Sequence, residues 1–464
     1  MITRKSLLYG LSISVLSLTC ASFAYNSFFK QKDALLIIGY GQSLMTGMEG
    51  WPALSNKEIV DNAFMIGESV RPTERHSAFY RTNGSGFRTI SSVVQNPDKP
   101  SEIYNHNDVS ILKRNSLAEG EEPIVPAVKI LAKEHNNSFF VGMNAGASGA
   151  DIRQLSKKDL HGYYNRYLDA VSIFNSNAID VGLVPKVMSI VFMQGEMNYM
   201  PPYSGAPTTQ EDYGRYLQNL YEDMEKDAVN ITGQKNPPFF FMYQTTGAYT
   251  SDKNNLSVGM AQLSFSNKNK NVFMVGPTYQ YPDKGNDINN DAHLDPNSYR
   301  WFGVQLAKVM HKVIDENINW SPLQPISTSL LNGKIVIKYL VPSPPLRFMG
   351  AYDRYSLVMH EDKGFTLYDG SGRVDISSVE ITSPDEITIT PARRINGMAK
   401  LFYADKTYHN GNGNVADSDS TVSPLNYEYI EGSGQFPESN IKELVGKPYP
   451  LNNFSVAFYS SVDE

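Results

Sequence analysis

The sequence predicts an α/β domain with a parallel sheet, followed by a smaller all-β domain with a sandwich-like architecture. Between about residues 33 and 318, five short apolar runs alternate with segments of helical spacing. After about residue 320 the helical spacing fades, and apolar and polar residues alternate in the two-residue rhythm of half-buried strands. A chain of 464 residues is long enough for two or three domains, at roughly 150 residues per domain.

The five apolar runs are each short and end at glycine or polar residues. Continuous runs of this kind indicate strands that are covered on both faces, as in a parallel sheet. They comprise residues 33–39, 139–143, 187–193, 239–243 and 272–275.

The segments between these runs have the spacing of amphipathic helices, with apolar residues three and four positions apart. The predicted helices cover residues 127–135, 163–175 and 213–229. A further helix begins after Asp295, because Asp is favoured at the N-cap and Pro296 at the first helical position.

The second domain is predicted over residues 326–464, and residues 322–325 form a linker after the first domain at 33–318. Its strands include residues 334–339, 365–368 and 386–390, and residues 369–372 form a turn. Residues 441–445 are the one short helix candidate in this region.

Composition excludes several classes of protein. The chain has 41 Lys and Arg against 48 Asp and Glu, a formal net charge of -7, which argues against binding to nucleic acid or to anionic membranes. Its 41% hydrophobic and 19% charged residues are those of neither a polytopic membrane protein nor a highly charged disordered chain. A single cysteine, Cys20, excludes a disulfide scaffold, a cysteine-based zinc site and an iron–sulfur cluster.

Residues 1–24 have the pattern of a secretory signal peptide. Arg4 and Lys5 precede an apolar run over residues 7–18, and small residues up to Ala24 follow. We therefore expect export to the periplasm, the cell surface or the medium, without membrane insertion once the signal is cleaved. An uncleaved N-terminal anchor is the alternative, and lipidation of Cys20 is a further one.

Reactive and polar residues follow the ends of several predicted strands. These clusters are residues 39–44, 144–151, 194–198 and 290–294, and they contain a serine, a glycine turn, an amide–carboxylate group and an Asp/His pair. Ligands of open α/β sheets bind at the carboxyl ends of the strands. Acyl transfer needs a nucleophile, a base, an orienting acid and fixed N–H donors for the oxyanion, and the clusters contain all of them.

These clusters resemble the four ordered blocks of the SGNH (GDSL-like) hydrolases. The residues that carry the resemblance are Gly41-Gln42-Ser43, Ser148-Gly149, Gln194-Gly195-Glu196-Met197-Asn198 and the pair Asp291 and His293. The first and third blocks are most similar to the carbohydrate esterase branch that includes sialate O-acetylesterases. The resemblance covers residues 33–318 and implies a flavodoxin-like, three-layer α/β/α fold.

The resemblance also implies a role for each residue. Ser43 would be the nucleophile, His293 the general base and Asp291 the acid of the triad. The oxyanion hole would consist of the backbone N–H groups of Ser43 and Gly149 and the side chain of Gln194. Supporting roles fall to Gln42, Glu196 and Asn198.

The sequence departs from the family pattern at two places. Leu44 stands where the sialate-esterase block usually has asparagine. Asn290 stands where the last block usually has its acid, which leaves Asp291 as the nearest carboxylate and makes Asp287 and Asp295 the fallbacks.

The expected function is a secreted serine esterase that removes O-acetyl groups from a carbohydrate, without a metal ion or organic cofactor. A lipase- or thioesterase-like hydrolase acting on longer acyl chains is one alternative. An inactive carbohydrate-binding surface protein is another. The aromatic residues Tyr40, Trp51, Tyr199 and Tyr203 lie near the blocks and are expected to be either sugar ligands or core.

Overall fold

The computed structural model describes residues 31–462, except 76, 97–98, 100–101, 105, 113–115, 201–204, 246, 252–254 and 285–292. The predicted signal peptide, Cys20, Tyr203 and Asp291 lie outside the described residues. In the part of the chain that is described, no helix is both long and apolar enough to cross a membrane.

The first part of the chain alternates strands and helices. Its strands are β1 (Asp33–Gly41), β2 (Ala63–Ile66), β3 (Phe87–Thr89), β4 (Val94–Gln95), β5 (Ile103–Tyr104), β6 (Phe139–Asn144), β7 (Val184–Met193), β8 (Phe239–Gln244) and β9 (Val272–Pro277). Its helices are α1 (Ser43–Thr46), α2 (His106–Ser110), α3 (Ile124–Glu134), α4 (Tyr164–Asp180), α5 (Gln210–Thr232), α6 (Ser257–Lys268) and α7 (Pro296–Ile314).

The main sheet has the strand order β3-β2-β6-β1-β7-β8-β9. Its neighbouring strands are parallel, apart from the antiparallel pair β2 and β3. All five apolar runs predicted as strands belong to this sheet, whereas β2 and β3 were not predicted. Strand β1 lies between β6 and β7, so the loop after β1 is flanked by the loops that follow those two strands.

Helices cover both faces of the main sheet. Alternate residues of the strands belong to two separate apolar clusters, one with α3 and α7 and the other with α4, α5 and α6. This is a three-layer α/β/α arrangement, and the predicted fold class is confirmed.

Helix α7 begins as the sequence predicts. The Asp295 carboxylate accepts a hydrogen bond from the Ser298 N–H at 2.7 Å, and Pro296 occupies the first helical position. Helix α6 was not predicted, because its apolar residues do not form a clear stripe along one face.

The C-terminal part consists mainly of antiparallel strands. They are β10 (Gln324–Leu331), β11 (Lys334–Leu340), β12 (Leu346–Phe348), β13 (Ala351–Asp353), β14 (Ser356–Val358), β15 (Phe365–Asp369), β16 (Gly372–Val374), β17 (Ile376–Ser383), β18 (Glu386–Pro391), β19 (Ala399–Tyr403), β20 (Val415–Asp417), β21 (Val422–Asn426), β22 (Pro448–Pro450) and β23 (Phe458–Val462), with a short helix α8 (Lys406–His409). The four-stranded sheets β10-β11-β18-β17 and β16-β15-β19-β23 share one apolar core. That arrangement is a sandwich. Residues 441–445 form turns rather than the helix that their sequence favoured.

The end of the chain returns to pack against helix α7. The Arg300 guanidinium donates to the Glu428 carboxylate at 2.7 Å, and Lys308 donates to Asp419 at 2.9 Å. The Trp301 indole N–H donates to the Pro450 carbonyl at 2.7 Å. Helix α7 is therefore buried on nearly all sides, by the sheet on one side and by the C-terminal segment on the other.

Candidate active site

The turn that presents Ser43 depends on a glycine and an amide. Gly41 has a φ of 147°, and a Cβ at this position would lie 2.0 Å from the Met193 carbonyl oxygen, so only glycine fits. The Gln42 carboxamide oxygen accepts the N–H groups of Gly195 and Met197, each at 3.2 Å. The loop after β1 is therefore tied to the loop after β7, and Ser43 becomes the first residue of α1.

The structure brings Ser43 and His293 together across 250 positions of sequence. The distance between Ser43 Oγ and His293 Nε2 is 2.8 Å, and each residue is only 6% exposed. His293 precedes the capped start of α7, and its carbonyl accepts the Lys284 N–H at 3.1 Å. The imidazole is thus positioned to take the serine proton.

The other imidazole nitrogen of His293 is held by Glu49, a residue that the sequence analysis did not single out. His293 Nδ1 lies 2.8 Å from Glu49 Oε2, and Glu49 is 2% exposed. A buried carboxylate at Nδ1 fixes the tautomer that accepts a proton at Nε2 and stabilises the imidazolium. Ser43, His293 and Glu49 therefore have the geometry of a catalytic triad.

Glu49 is held in an uncommon backbone conformation. Its φ is 60°, and its N–H donates to the Ala118 carbonyl at 2.8 Å. A non-glycine residue in the left-handed region is strained, and such strain occurs often at functional sites. Asp291, the predicted triad acid, lies outside the described residues, so its role stays a prediction.

The two predicted backbone donors of the oxyanion hole lie on elements that are hydrogen-bonded to each other. The Ser43 N–H is at the start of α1, where backbone N–H groups have no partner within the helix. Gly149 lies in a turn with φ of 80°. Thr46 Oγ1 lies 2.9 Å from Ser148 Oγ, and Ser148 Oγ donates to Glu119 at 3.1 Å. Glu119 and Thr46 were also missed by the sequence analysis, whereas Ser148 belongs to the Ser148-Gly149 block that it identified.

The side chain of Gln194 is fully buried and forms hydrogen bonds with residues around the site. Its Nε2 donates to Asn198 Oδ1 at 2.6 Å and to the Ala150 carbonyl at 3.4 Å, and its Oε1 accepts from the Tyr213 hydroxyl at 2.9 Å. Asn198 in turn accepts the Ile152 N–H at 3.2 Å. A direct bond from Gln194 to an oxyanion would require exchange of one of these contacts, so that role stays a prediction.

Glu196 is buried beside the site and is hydrogen-bonded to the Tyr243 hydroxyl. Burial, together with the Glu196 carboxylate, raises the pKa of Tyr243 far above its ordinary value. The phenol therefore stays protonated and donates to Glu196, which lies at the wall of an adjoining cleft.

A solvent-open cleft with an empty volume of about 750 Å³ begins beside the triad. Leu44 and Leu294, the sequence neighbours of Ser43 and His293, are among the residues that line it. Both parts of the chain contribute the remaining walls: Glu196, Ala248, Tyr249, Thr278, Tyr279, Tyr281, Asp283, Tyr352, Asp353, Arg354, Asn410 and Asn412.

The three aromatic residues considered as sugar ligands that the structure describes do not line this cleft. Tyr40, Trp51 and Tyr199 belong to the apolar core. The tyrosines in the cleft come from the loops after β8 and β9 and from β13, where no motif marked them.

The fold of this chain is similar to that of a solved carbohydrate acetylesterase. The carbohydrate acetylesterase XAC1771 from Xanthomonas citri superposes with a TM-score of 0.53 and 13% identity, over 92% of this chain and 80% of that chain. At this identity the likeness shows the fold alone. The fold that the resemblance implied is therefore also the fold of a solved carbohydrate acetylesterase.

Two further solved structures are too weakly similar to support any inference about this chain. NanS has a TM-score of 0.41 and 11% identity, over 62% of this chain and 99% of NanS. Est24, a carbohydrate acetylesterase from Sinorhizobium meliloti, has a TM-score of 0.28 and 10% identity, over 62% of this chain and all of that chain (100%). No protein-family model matches the sequence, and neither does any curated protein sequence.

Proposed function

We propose that this protein is a serine esterase that removes O-acetyl groups from a carbohydrate, with Ser43, His293 and Glu49 as its triad. The observation that carries the proposal is the continuous chain of contacts from Ser43 Oγ to His293 and on to Glu49, with 2.8 Å at each step. The fold shared with a carbohydrate acetylesterase supports the same reaction class.

In the proposed mechanism, Ser43 Oγ attacks the ester carbonyl while His293 Nε2 takes the hydroxyl proton. The tetrahedral oxyanion is stabilised by the N–H groups of Ser43 and Gly149. The ester C–O bond then breaks, His293 returns the proton to the leaving sugar hydroxyl, and an acetyl–Ser43 ester remains. Water, deprotonated by His293, attacks this ester; the bond from the acetyl carbon to Ser43 Oγ then breaks, Oγ takes the proton from His293, and acetate is released. Throughout, Glu49 stabilises the imidazolium.

The chemistry of the cleft supports a polar, sugar-like leaving group rather than a long acyl chain. Its walls combine tyrosine rings with amide and carboxylate groups such as Asn410 and Asp353. Aromatic rings offer apolar faces, and planar polar groups offer paired hydrogen-bonding atoms. We also propose that the protein is exported, because polysaccharide substrates occur outside the cell.

The test is acetate release from acetylated xylan, acetylated pectin and O-acetylated sialic acids, measured beside nitrophenyl acetate and nitrophenyl octanoate. We expect release from at least one glycan and faster cleavage of the acetate than of the octanoate ester. Faster octanoate cleavage would favour the lipase-like alternative. Glycan binding without ester cleavage would favour an inactive binding protein.

A further inference from the structure

A second cluster of chemically active side chains lies where helices α3 and α7 end. It consists of Glu134 and His135 at the end of α3 and of His311 and Asp315 at the end of α7. The adjoining cavity is lined by Leu35, near the start of β1, whereas Ser43 follows the other end of that strand. Leu35 and Gly41 are six positions apart along this strand, which places the cluster about 20 Å from the triad.

The potential ligand atoms of this cluster converge on one region of space. One oxygen or nitrogen from each of Glu134, His135 and Asp315 lies within 4.8 Å of the others. Asp315 Oδ2 is 3.0 Å from His135 Nε2 and 2.8 Å from His311 Nδ1. His311 Nδ1 is also 3.4 Å from Glu134 Oε2.

These separations are close to those of ligands around a shared ion. Ligand atoms at about 2.0–2.2 Å from a tetrahedral zinc ion lie roughly 3.4 Å apart. The observed distances of 2.8, 3.0 and 3.4 Å equal that value or are shorter than it by up to about 0.6 Å. Small rotations of the imidazole and carboxylate groups would admit an ion.

The electrostatic surroundings favour a cation. Both helices direct their C-terminal ends, which carry partial negative charge, towards the cluster. Glu316 adds a further carboxylate oxygen 3.5 Å from His311 Nε2. On one side the cluster borders a cavity with the apolar wall residues Leu131, Phe140 and Ile314.

We propose that Glu134, His135, His311 and Asp315 bind one divalent transition-metal ion of the zinc class. Two imidazoles with two carboxylates suit zinc and its neighbours, whereas calcium and magnesium prefer an all-oxygen set. The bound ion clamps the ends of α3 and α7 together. This site takes no part in the proposed ester hydrolysis and is independent of it.

The test is isothermal titration calorimetry of the full-length protein with zinc chloride near neutral pH, after treatment with a chelator and its removal. We expect a single zinc ion per chain, and weaker binding of magnesium and calcium. His135→Gln and Asp315→Asn should each weaken zinc binding at least about tenfold, since loss of an outer-shell partner alone already costs 10- to 100-fold.

His161→Gln is the matched control. His161 is a half-exposed histidine whose Nδ1 lies 2.5 Å from Asp159 Oδ1, outside this cluster, and its replacement should leave zinc affinity unchanged. Circular dichroism of the metal-free variants checks that each is folded, and zinc should raise the thermal midpoint of the parent but not of His135→Gln. The proposal is overturned by the absence of stoichiometric binding, by parental affinity in both cluster variants, or by magnesium binding as tight as zinc binding.

Discussion

Replacing Glu49 with glutamine tests the triad that the structure assembles. The change keeps the size and planarity of the side chain but removes its charge. Glutamine can also present its NH₂ group to His293 Nδ1, which would favour the tautomer that carries a proton at Nε2. That tautomer cannot accept the Ser43 proton, so turnover should fall while substrate binding changes little.

The size of the loss follows from the burial and spacing of the pair. Glu49 and His293 are both nearly inaccessible to water, and Oε2 lies 2.8 Å from Nδ1. Two unit charges about 4 Å apart interact by about 4 kcal/mol at an effective dielectric constant of about 20. Loss of that stabilisation alone lowers the rate about 10³-fold. The change of tautomer increases the loss to as much as about 10⁴-fold, the scale known for serine proteases.

The assay compares kcat and KM for nitrophenyl acetate in the parent, Glu49→Gln and Asp291→Asn, at a pH where the imidazole is neutral. We expect a large fall in kcat for Glu49→Gln and a much smaller one for Asp291→Asn. Thermal melting of each variant separates loss of catalysis from loss of fold, which matters because the Glu49 backbone is strained.

The opposite pattern would refute the reasoning. If Glu49→Gln turned over near the parental rate and Asp291→Asn lost about 10³-fold or more, the sequence-based choice of acid would be right. Near-parental turnover in both variants would indicate a Ser–His dyad.

Three further predictions concern the nucleophile, the cleft and the β-rich part of the chain. Ser43→Ala should reduce acetate release to background with an unchanged melting midpoint, because only a hydroxyl is lost; measurable turnover would exclude Ser43 as the nucleophile. Tyr249→Ala should raise KM for an acetylated polysaccharide severalfold and leave nitrophenyl acetate hydrolysis within about twofold; equal effects on both substrates would argue against a sugar-binding role. Burial alone would lower the pKa of His409, but the hydrogen bonds and charges of Asp362 and Asp405 outweigh it and raise the pKa to about 9. Since that value lies above the unfolded value of 6.5, the resulting stabilisation, at most about 3 kcal/mol, is complete below about pH 6.5 and is lost as the pH rises through 9. Chemical denaturation of the parent and His409→Gln across this range should show the difference shrinking; a constant difference would contradict it.

The triad shows why only part of a site can be read from sequence. Ser43 follows a strand that ends at glycine, His293 precedes a capped helix, and both segments have a characteristic local pattern. Glu49 has no such pattern: it ends the stretch after α1, six residues beyond the nucleophile. Its only signal is a carboxylate near the first block. What brings it to His293 is a left-handed backbone conformation held by the carbonyl of Ala118, which is distant in the sequence.

The apolar strands of the main sheet, and the order in which the polar clusters follow them, could be predicted from the sequence alone. Continuous apolar runs become strands buried on both faces, because each must be covered by helices on either side. The carboxyl ends of β6, β1 and β7 then bring the three polar clusters that follow them to one edge of the sheet, where Ser43 also meets His293. The strand β2 escaped prediction because it has only four residues, and the helix α6 because its apolar residues form no clear stripe. Packing against neighbouring elements stabilises both.

Only the tertiary structure decided which residues surround the substrate cleft. Its walls join Leu44 and Leu294, next to the catalytic pair, to Tyr352 and Asn412 from the β-rich part of the chain. Periodicity reports which face of an element is buried, but it carries no information on which distant element covers that face. The contacts of α7 with the returning C-terminal segment, and the closeness of Glu49 to His293, depend on such long-range packing. For that reason Ser43 and His293 could be singled out from local motifs, while the carboxylate beside His293 and the walls of the cleft could not.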